Sequence, residues 1–351
     1  MRTKWPNCGR YPAVNIPENK INWRNVCLGW EKIEDVWKNN KGSMIEFSNN
    51  RDFAGVVDCC LLYDNGNKLV TGSRNKSLQI FDLEKLQNKI PFLANVQASA
   101  KTNAHSGWIW CMEERQGKLA TGSWDTSIKI WDLNNIEEAE TSFKAESPIL
   151  CLRNEEHKIL AGSFHKKLYT FDKRVDGECC KSFRMHTRPI LAIDCCDKYV
   201  ITGSEEGTIK ILDRRLLKSP LKVITLPKQD EKVVYPTAIC YNGYTCWVGD
   251  SMGNLTLINA ANNFETENSI NALDKRRIGT ILERSGGIFV AGGRQQNRSY
   301  VNIYTPTNKP TPIASIEYTQ EISRISEMNG TLAIGLTDGG IKIWRPALDV
   351  N

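Results

Sequence analysis

No window of this 351-residue chain approaches the run of about 18 apolar residues that a membrane helix needs, and the opening Met1-Arg2-Thr3-Lys4-Trp5-Pro6 lacks the apolar core of a signal peptide. These absences predict a cytoplasmic protein, with the nucleus also open to it. Histidine is scarce: His105, His157, His165 and His186 are scattered, and none stands at metal-ligand spacing from cysteines or carboxylates. Cysteine is plentiful, at 12, but no C-x-x-C occurs. The thiols fall as adjacent pairs (Cys59-Cys60, Cys179-Cys180, Cys195-Cys196) or singly in apolar stretches, which reads as buried reduced cysteine. No G-x-x-x-x-G-K-[ST] or H-E-x-x-H is present, and Gly249-Asp250-Ser251-Met252-Gly253, which fits G-x-S-x-G, reads as a repeat turn. The expectation is no metal, no cofactor and no catalytic residue. An excess of one charge is lacking too. The balance of 46 Lys and Arg against 40 Asp and Glu is too even to predict nucleic-acid binding, and Lys166-Lys167, Arg214-Arg215 and Lys275-Arg276-Arg277 read as solvated surface.

What the chain has is a repeat. A short apolar strand, a glycine, a tight polar turn and a second strand recur as KLVTGSRNKSLQIFDL from Lys68, KLATGSWDTSIKIWDL from Lys118, KILAGSFHKKLYTFDK from Lys158 and YVITGSEEGTIKILDR from Tyr199. Looser copies start at Tyr244, Gly287 and Thr331, so there are seven. The anchoring glycines are Gly72, Gly122, Gly162, Gly203, Gly249, Gly292 and Gly335, in steps of 40 to 50 residues. Apolar runs before the blocks, such as 56–62, 108–112, 149–152 and 190–193, read as innermost strands. Outer strands are expected near Thr141 to Lys144, Cys179 to Arg184, Leu221 to Leu226, Ser269 to Ala272 and Pro312 to Ile316.

A period of this length, with a turn Asp and a strand ending in Trp-Asp, resembles the WD repeat, which builds four-stranded propeller blades. The resemblance implies an all-β, seven-bladed WD-repeat β-propeller. In the second copy His105, Thr121, Asp125 and Trp131 match the family's buried tetrad, which links a loop histidine, a strand hydroxyl, a turn carboxylate and an indole. The fourth copy has His186 and Thr202 but Glu206 and Leu212; the seventh keeps Asp338 and Trp344. The third has His165 at the Asp position, and the fifth has Met252 there and Ile258 at the Trp position. Too few residues follow Trp344 for an outer strand, so residues 44–48, Met-Ile-Glu-Phe-Ser, are expected to complete the seventh blade. That gives a propeller over 44–346 and leaves 1–43 as a preceding segment.

Within that segment, residues 22–39 place Trp23, Val26, Cys27, Trp30, Ile33 and Trp37 on one helical face, with Asn22 as N-cap and a stop at Asn39, Asn40 and Gly42. Trp23-Arg24, Trp37-Lys38 and Gly42 resemble the stretch that joins F-box to propeller in F-box/WD repeat proteins. The resemblance implies a substrate-recognition subunit of a cullin-RING ubiquitin ligase. Only 21 residues precede Asn22, fewer than an F-box occupies, so adaptor and cullin are expected as partners only if a full F-box lies upstream. The alternative is a WD-repeat scaffold for a multiprotein complex with no ligase link.

In such propellers the turn after each Gly-Ser pair and the loop entering each innermost strand share one face around the central channel. Large aromatics and arginines fall there, the residue types enriched at binding hot spots. Trp108, Trp124, Phe164 and Tyr235 are expected to form an apolar floor. Arg74, Arg188, Arg277 and Arg294 would offer bidentate donors to an acidic or phosphorylated peptide of a protein partner. Glu205 sits awkwardly among them.

Overall fold

The computed structural model describes residues 34–39, 42–48, 55–84, 97–175, 177–178, 181–284, 287–295 and 298–346. Its strands form seven sheets, the blades of a β-propeller. The second blade shows the plan: Ile109–Arg115 innermost, then Lys118–Ser123, Ser127–Asp132 and, outermost, Thr141–Lys144. The inner strands of the others are Val57–Tyr63, Ile149–Asn154, Ile190–Cys195, Pro236–Tyr241, Ile278–Arg284 and Ile322–Met328. Neighbouring blades cover both faces of each second strand, so KLATGS is buried from its second residue onward and reads as an apolar run. Farther from the axis the blades splay, and outer strands such as Glu265–Asn271 alternate between exposed and half-buried positions.

The anchoring glycine is where one blade meets the next. A Cβ on Gly122 would lie 2.6 Å from Cγ2 of Ile149, the first residue of the third blade's inner strand. The same kind of contact recurs at Gly72, Gly162, Gly203 and Gly249, and the ring closes where a Cβ on Gly335 would come within 2.9 Å of Val57 in the first blade; at Gly292 a Cβ would instead meet Arg277 O of its own blade. At the contacts between blades any larger residue would wedge them apart.

Strand Gly42–Ser48 pairs antiparallel with Gly340–Pro346, as the outermost strand of the seventh blade, with Met44 opposite Trp344 and Phe47 opposite Ile341. Residues 34–38 are helical. From them Trp37 is buried, its ring stacked on Trp344 at 3.8 Å and set edge-on to Phe289 at 5.3 Å. Residues 22–33 of the expected helix lie outside the described residues. The fifth blade's outer strand, Glu265–Asn271, starts four residues ahead of the expected one, because Thr266 already pairs with Ile258. The first blade's outer strand is Gln97–Lys101, and Gly177–Glu178 from the third blade adds a fifth, parallel strand to the second. Neither carried a periodic signal.

Polar contacts tie blades together below the channel mouth. Arg153 pairs with Glu113 at 2.7 Å and with the fully buried Asp194 at 3.2 Å, and Asp194 accepts the Tyr241 N–H at 2.7 Å. That chain crosses blades two to five. The eight described cysteines are free and buried; burial pushes Cys60 and Cys151 up to about 12 and Cys59, Cys111, Cys195 and Cys246 well above the ordinary thiol range.

Candidate functional site: the channel mouth

Each inner strand loses register with its neighbour once, at its second residue. The skipped residue is Asp58, Trp110, Leu150, Leu191, Thr237, Gly279 or Ser323, one per blade. A bulge turns its extra residue out of the ladder. Here all seven line one cavity of about 330 Å³ at the mouth of the central channel.

Above this ring, a backbone bond clamps the residue two past the anchoring glycine to the residue two before the bulge. The Trp124 N–H donates to Trp108 O at 2.9 Å, Phe164 N–H to Pro148 O at 3.0 Å, Glu205 N–H to Pro189 O at 3.0 Å and Thr337 N–H to Glu321 O at 3.0 Å. The bonds hold turn and loop side chains around the opening in pairs.

Of the expected residues, Arg74, Trp124, Phe164, Tyr235 and Arg277 line the cavity. Trp108, 42% exposed, stands behind Trp124 at 5.7 Å between ring centroids. Trp124 is also edge-on to Trp110 at 5.9 Å and 5.8 Å from Phe164. The aromatic row is therefore Trp108, Trp110, Trp124 and Phe164; Tyr235 lines the cavity without a ring contact to it among the described residues. Trp110, an inner-strand residue by its pattern, became part of the site only through the bulge.

The arginines divide. Arg74 donates from Nε to both Asp58 oxygens, at 3.1 and 3.2 Å, and lies 5.0 Å over the Trp108 ring. Arg188 stands outside the cavity lining with Nε 3.9 Å from Glu205. The expectation of four open donors is corrected for these two: each faces a carboxylate of its own chain. Arg277 has no hydrogen bond or ion pair to a described residue. Partial desolvation by the cavity walls, with Arg324 nearby, lowers its pKa, while the residue as a whole stays exposed to solvent. Arg294 lies in strand Gly287–Gln295, and its side chain falls outside the description. Sequence reasoning missed Arg324, which lines the cavity and donates to Gly279 O at 2.8 Å, and also Glu321 and Asp58. Burial, partly offset by Arg74, raises Asp58 to about 6.

The second-blade network supports this rim. His105 Nδ1 lies 3.0 Å from Asp125 Oδ2, His105 Nε2 2.8 Å from Thr121 Oγ1, and the Trp131 indole donates to Thr121 Oγ1 at 2.9 Å. Every donor finds an acceptor if a neutral His105 carries its proton on Nδ1 and accepts a hydrogen bond from the Thr121 O–H at Nε2. Burial lowers the His105 pKa and so favours that neutral ring. Burial would raise Asp125, but hydrogen bonds from His105 and Ser127 outweigh it and hold the carboxyl low. In the fourth blade His186 bridges Thr202 at 2.9 Å and Glu206 at 2.6 Å, and the longer Glu206 also accepts the Thr187 N–H at 2.6 Å.

Among the described residues no group of three His, Cys, Asp or Glu side chains is placed to hold a metal, and no helix is long and apolar enough to cross a membrane.

Comparison with known proteins agrees with this architecture. The WD domain, G-beta repeat family matches residues 97–132 and 177–213, the two stretches that contain His105 and His186 with their threonine and carboxylate partners. The chain is 24% identical over 340 residues to F-box/WD repeat-containing protein 9 of Homo sapiens, covering 96% of this chain and 71% of that protein. It is 26% identical to the Bos taurus protein of the same name, covering 96% and 71%. It is also 26% identical to F-box/WD repeat-containing protein mec-15 of Caenorhabditis elegans, covering 84% and 73%. The chain is a WD-repeat propeller related to F-box/WD repeat proteins.

Proposed function

We propose that this chain is a non-catalytic interaction propeller that captures a target protein at its channel mouth, as the substrate-recognition subunit of an F-box-containing cullin-RING ubiquitin ligase. One observation carries the capture site: seven bulges turn one residue per blade into a single cavity, under a rim that leaves Phe164 42% exposed and Arg277 without a partner among the described residues. An anionic group of the target, a carboxylate or a phosphate, meets Arg277 and Arg324, while apolar surface meets Trp124 and Phe164. The relatives' names support the ligase link. Adaptor and cullin join only if a full F-box lies upstream of the propeller, and the protein works in the cytoplasm, with access to the nucleus.

Isolation of the native protein from cells, followed by mass spectrometry, tests this. Adaptor and cullin should co-purify with wild type and with Phe164→Ala/Arg277→Ala alike, whereas target proteins should be lost from the double variant. Recovery of neither adaptor nor cullin would leave a scaffold propeller with no ligase link. Targets retained by the double variant would move the capture site elsewhere.

A further inference from the structure

The two sides of the mouth differ in chemistry. Blades six and seven contribute Arg277 and Arg324 against the carboxylate of Glu321, so two guanidinium groups outweigh one carboxylate on this side. Across the channel stand Trp110, Trp124 and Phe164, flanked by the carboxylates of Asp58 in blade one and Glu205 in blade four. That combination of indole face and carboxylate already holds one cation. The Arg74 guanidinium lies 5.0 Å over Trp108 while its Nε bonds both oxygens of Asp58. The chain's own arginine thus marks what the aromatic side accepts.

The next aromatic pair along, Trp124 and Phe164, fronts the cavity, with Glu205 beyond it. Arg188 approaches Glu205 only to 3.9 Å, with its side chain 64% exposed, so solvent screens the pair and a ligand can replace it. We propose that the aromatic side of the mouth is a subsite for a cationic side chain of the captured protein, an arginine or lysine laid on Trp124 and Phe164 with Glu205 as counter-charge. The inference rests on the mouth being the capture site. It makes the recognised segment bipartite, with a cation on blades two to four and an anion on blades six and seven.

The test uses three small probes on the whole chain: the N-acetyl methylamides of arginine, of citrulline (the neutral isostere) and of glutamate. Binding is followed by NMR of the tryptophan indole N–H signals and of the arginine side chains. The arginine probe should shift the Trp110 and Trp124 indoles, and citrulline should not. Phe164→Ala and Glu205→Gln, both on the solvent-facing rim, should each weaken the arginine probe by roughly two- to thirtyfold, the range for a cation over an aromatic face. Arg74→Gln should strengthen it, because Asp58 and Trp108 lose their internal occupant. A purely structural role for the aromatic row would not produce that gain. Citrulline binding as well as arginine, or no indole shift with arginine while glutamate still binds near Arg277, would overturn the subsite and leave the capture site standing. No response to any probe, together with targets retained by Phe164→Ala/Arg277→Ala, would remove both.

Discussion

At the scale of single residues, the titrating groups pull stability in opposite directions with pH. His105 and His186 are buried and neutral, with pKa values lowered by desolvation, so the unfolded chain takes up protons first as pH falls. Their contribution is present above the ordinary histidine value of about 6.5 and is lost as pH falls through the lowered folded values. Asp58 behaves inversely. Raised to about 6, it takes up its proton in the folded state before the unfolded one, so its contribution is full below the ordinary aspartate value of about 3.9 and is lost as pH rises through the folded value. Melting temperature should therefore drop from pH 7 to pH 5, and drop more steeply in Asp58→Asn, which removes the opposing group. A shallower or parallel decline in that variant, followed by circular dichroism, would contradict the assignment. The tetrad residues were legible beforehand because their spacing is local to one repeat. The Asp58–Arg74 pair was not, because a bulge and a turn 16 residues apart create it.

At the scale of elements, the seventh blade is assembled from both ends of the described chain. Strand Gly42–Ser48 covers the edge of Gly340–Pro346, which would otherwise expose unpaired backbone groups. The residues just ahead of that strand add a second attachment, since Trp37 fills the space over Trp344 and beside Phe289. In this blade Ile334 stands where the second blade has Thr121, so the Trp344 indole N–H has no hydroxyl there to meet and lies buried without a partner among the described residues. Stacking replaces the missing hydrogen bond. Trp37→Ala should cost about 3 kcal/mol in urea unfolding, the lower end for emptying a buried aromatic site. A change under about 0.5 kcal/mol would mean that the helical residues only rest on the surface. The amphipathic pattern announced that these tryptophans need a partner surface, but periodicity names a face and not what covers it.

At the scale of the whole molecule, the ring depends on contacts that cross blades. Asp194 joins Arg153 of the third blade to the Tyr241 backbone of the fifth. Asp194→Ala should lower stability by about 3 to 5 kcal/mol by leaving a buried guanidinium short of its counter-charge, and Arg153→Met in the same chain should recover part of the loss, as read from urea midpoints. An Asp194→Ala effect no larger than that of a surface substitution would show the blades to be held by apolar packing alone. The repeat count, the blade glycines, the spare closing strand and the second-blade tetrad were readable in the chain by itself, because each is a pattern of spacing within one or two repeats. The composition of the mouth was decided only by the tertiary structure. Closing the ring brings together residues from positions 58 to 337, and the bulges select which inner-strand side chain faces the axis. The new neighbours then determine charge, pairing Arg74 and Arg188 with carboxylates while leaving Arg277 open.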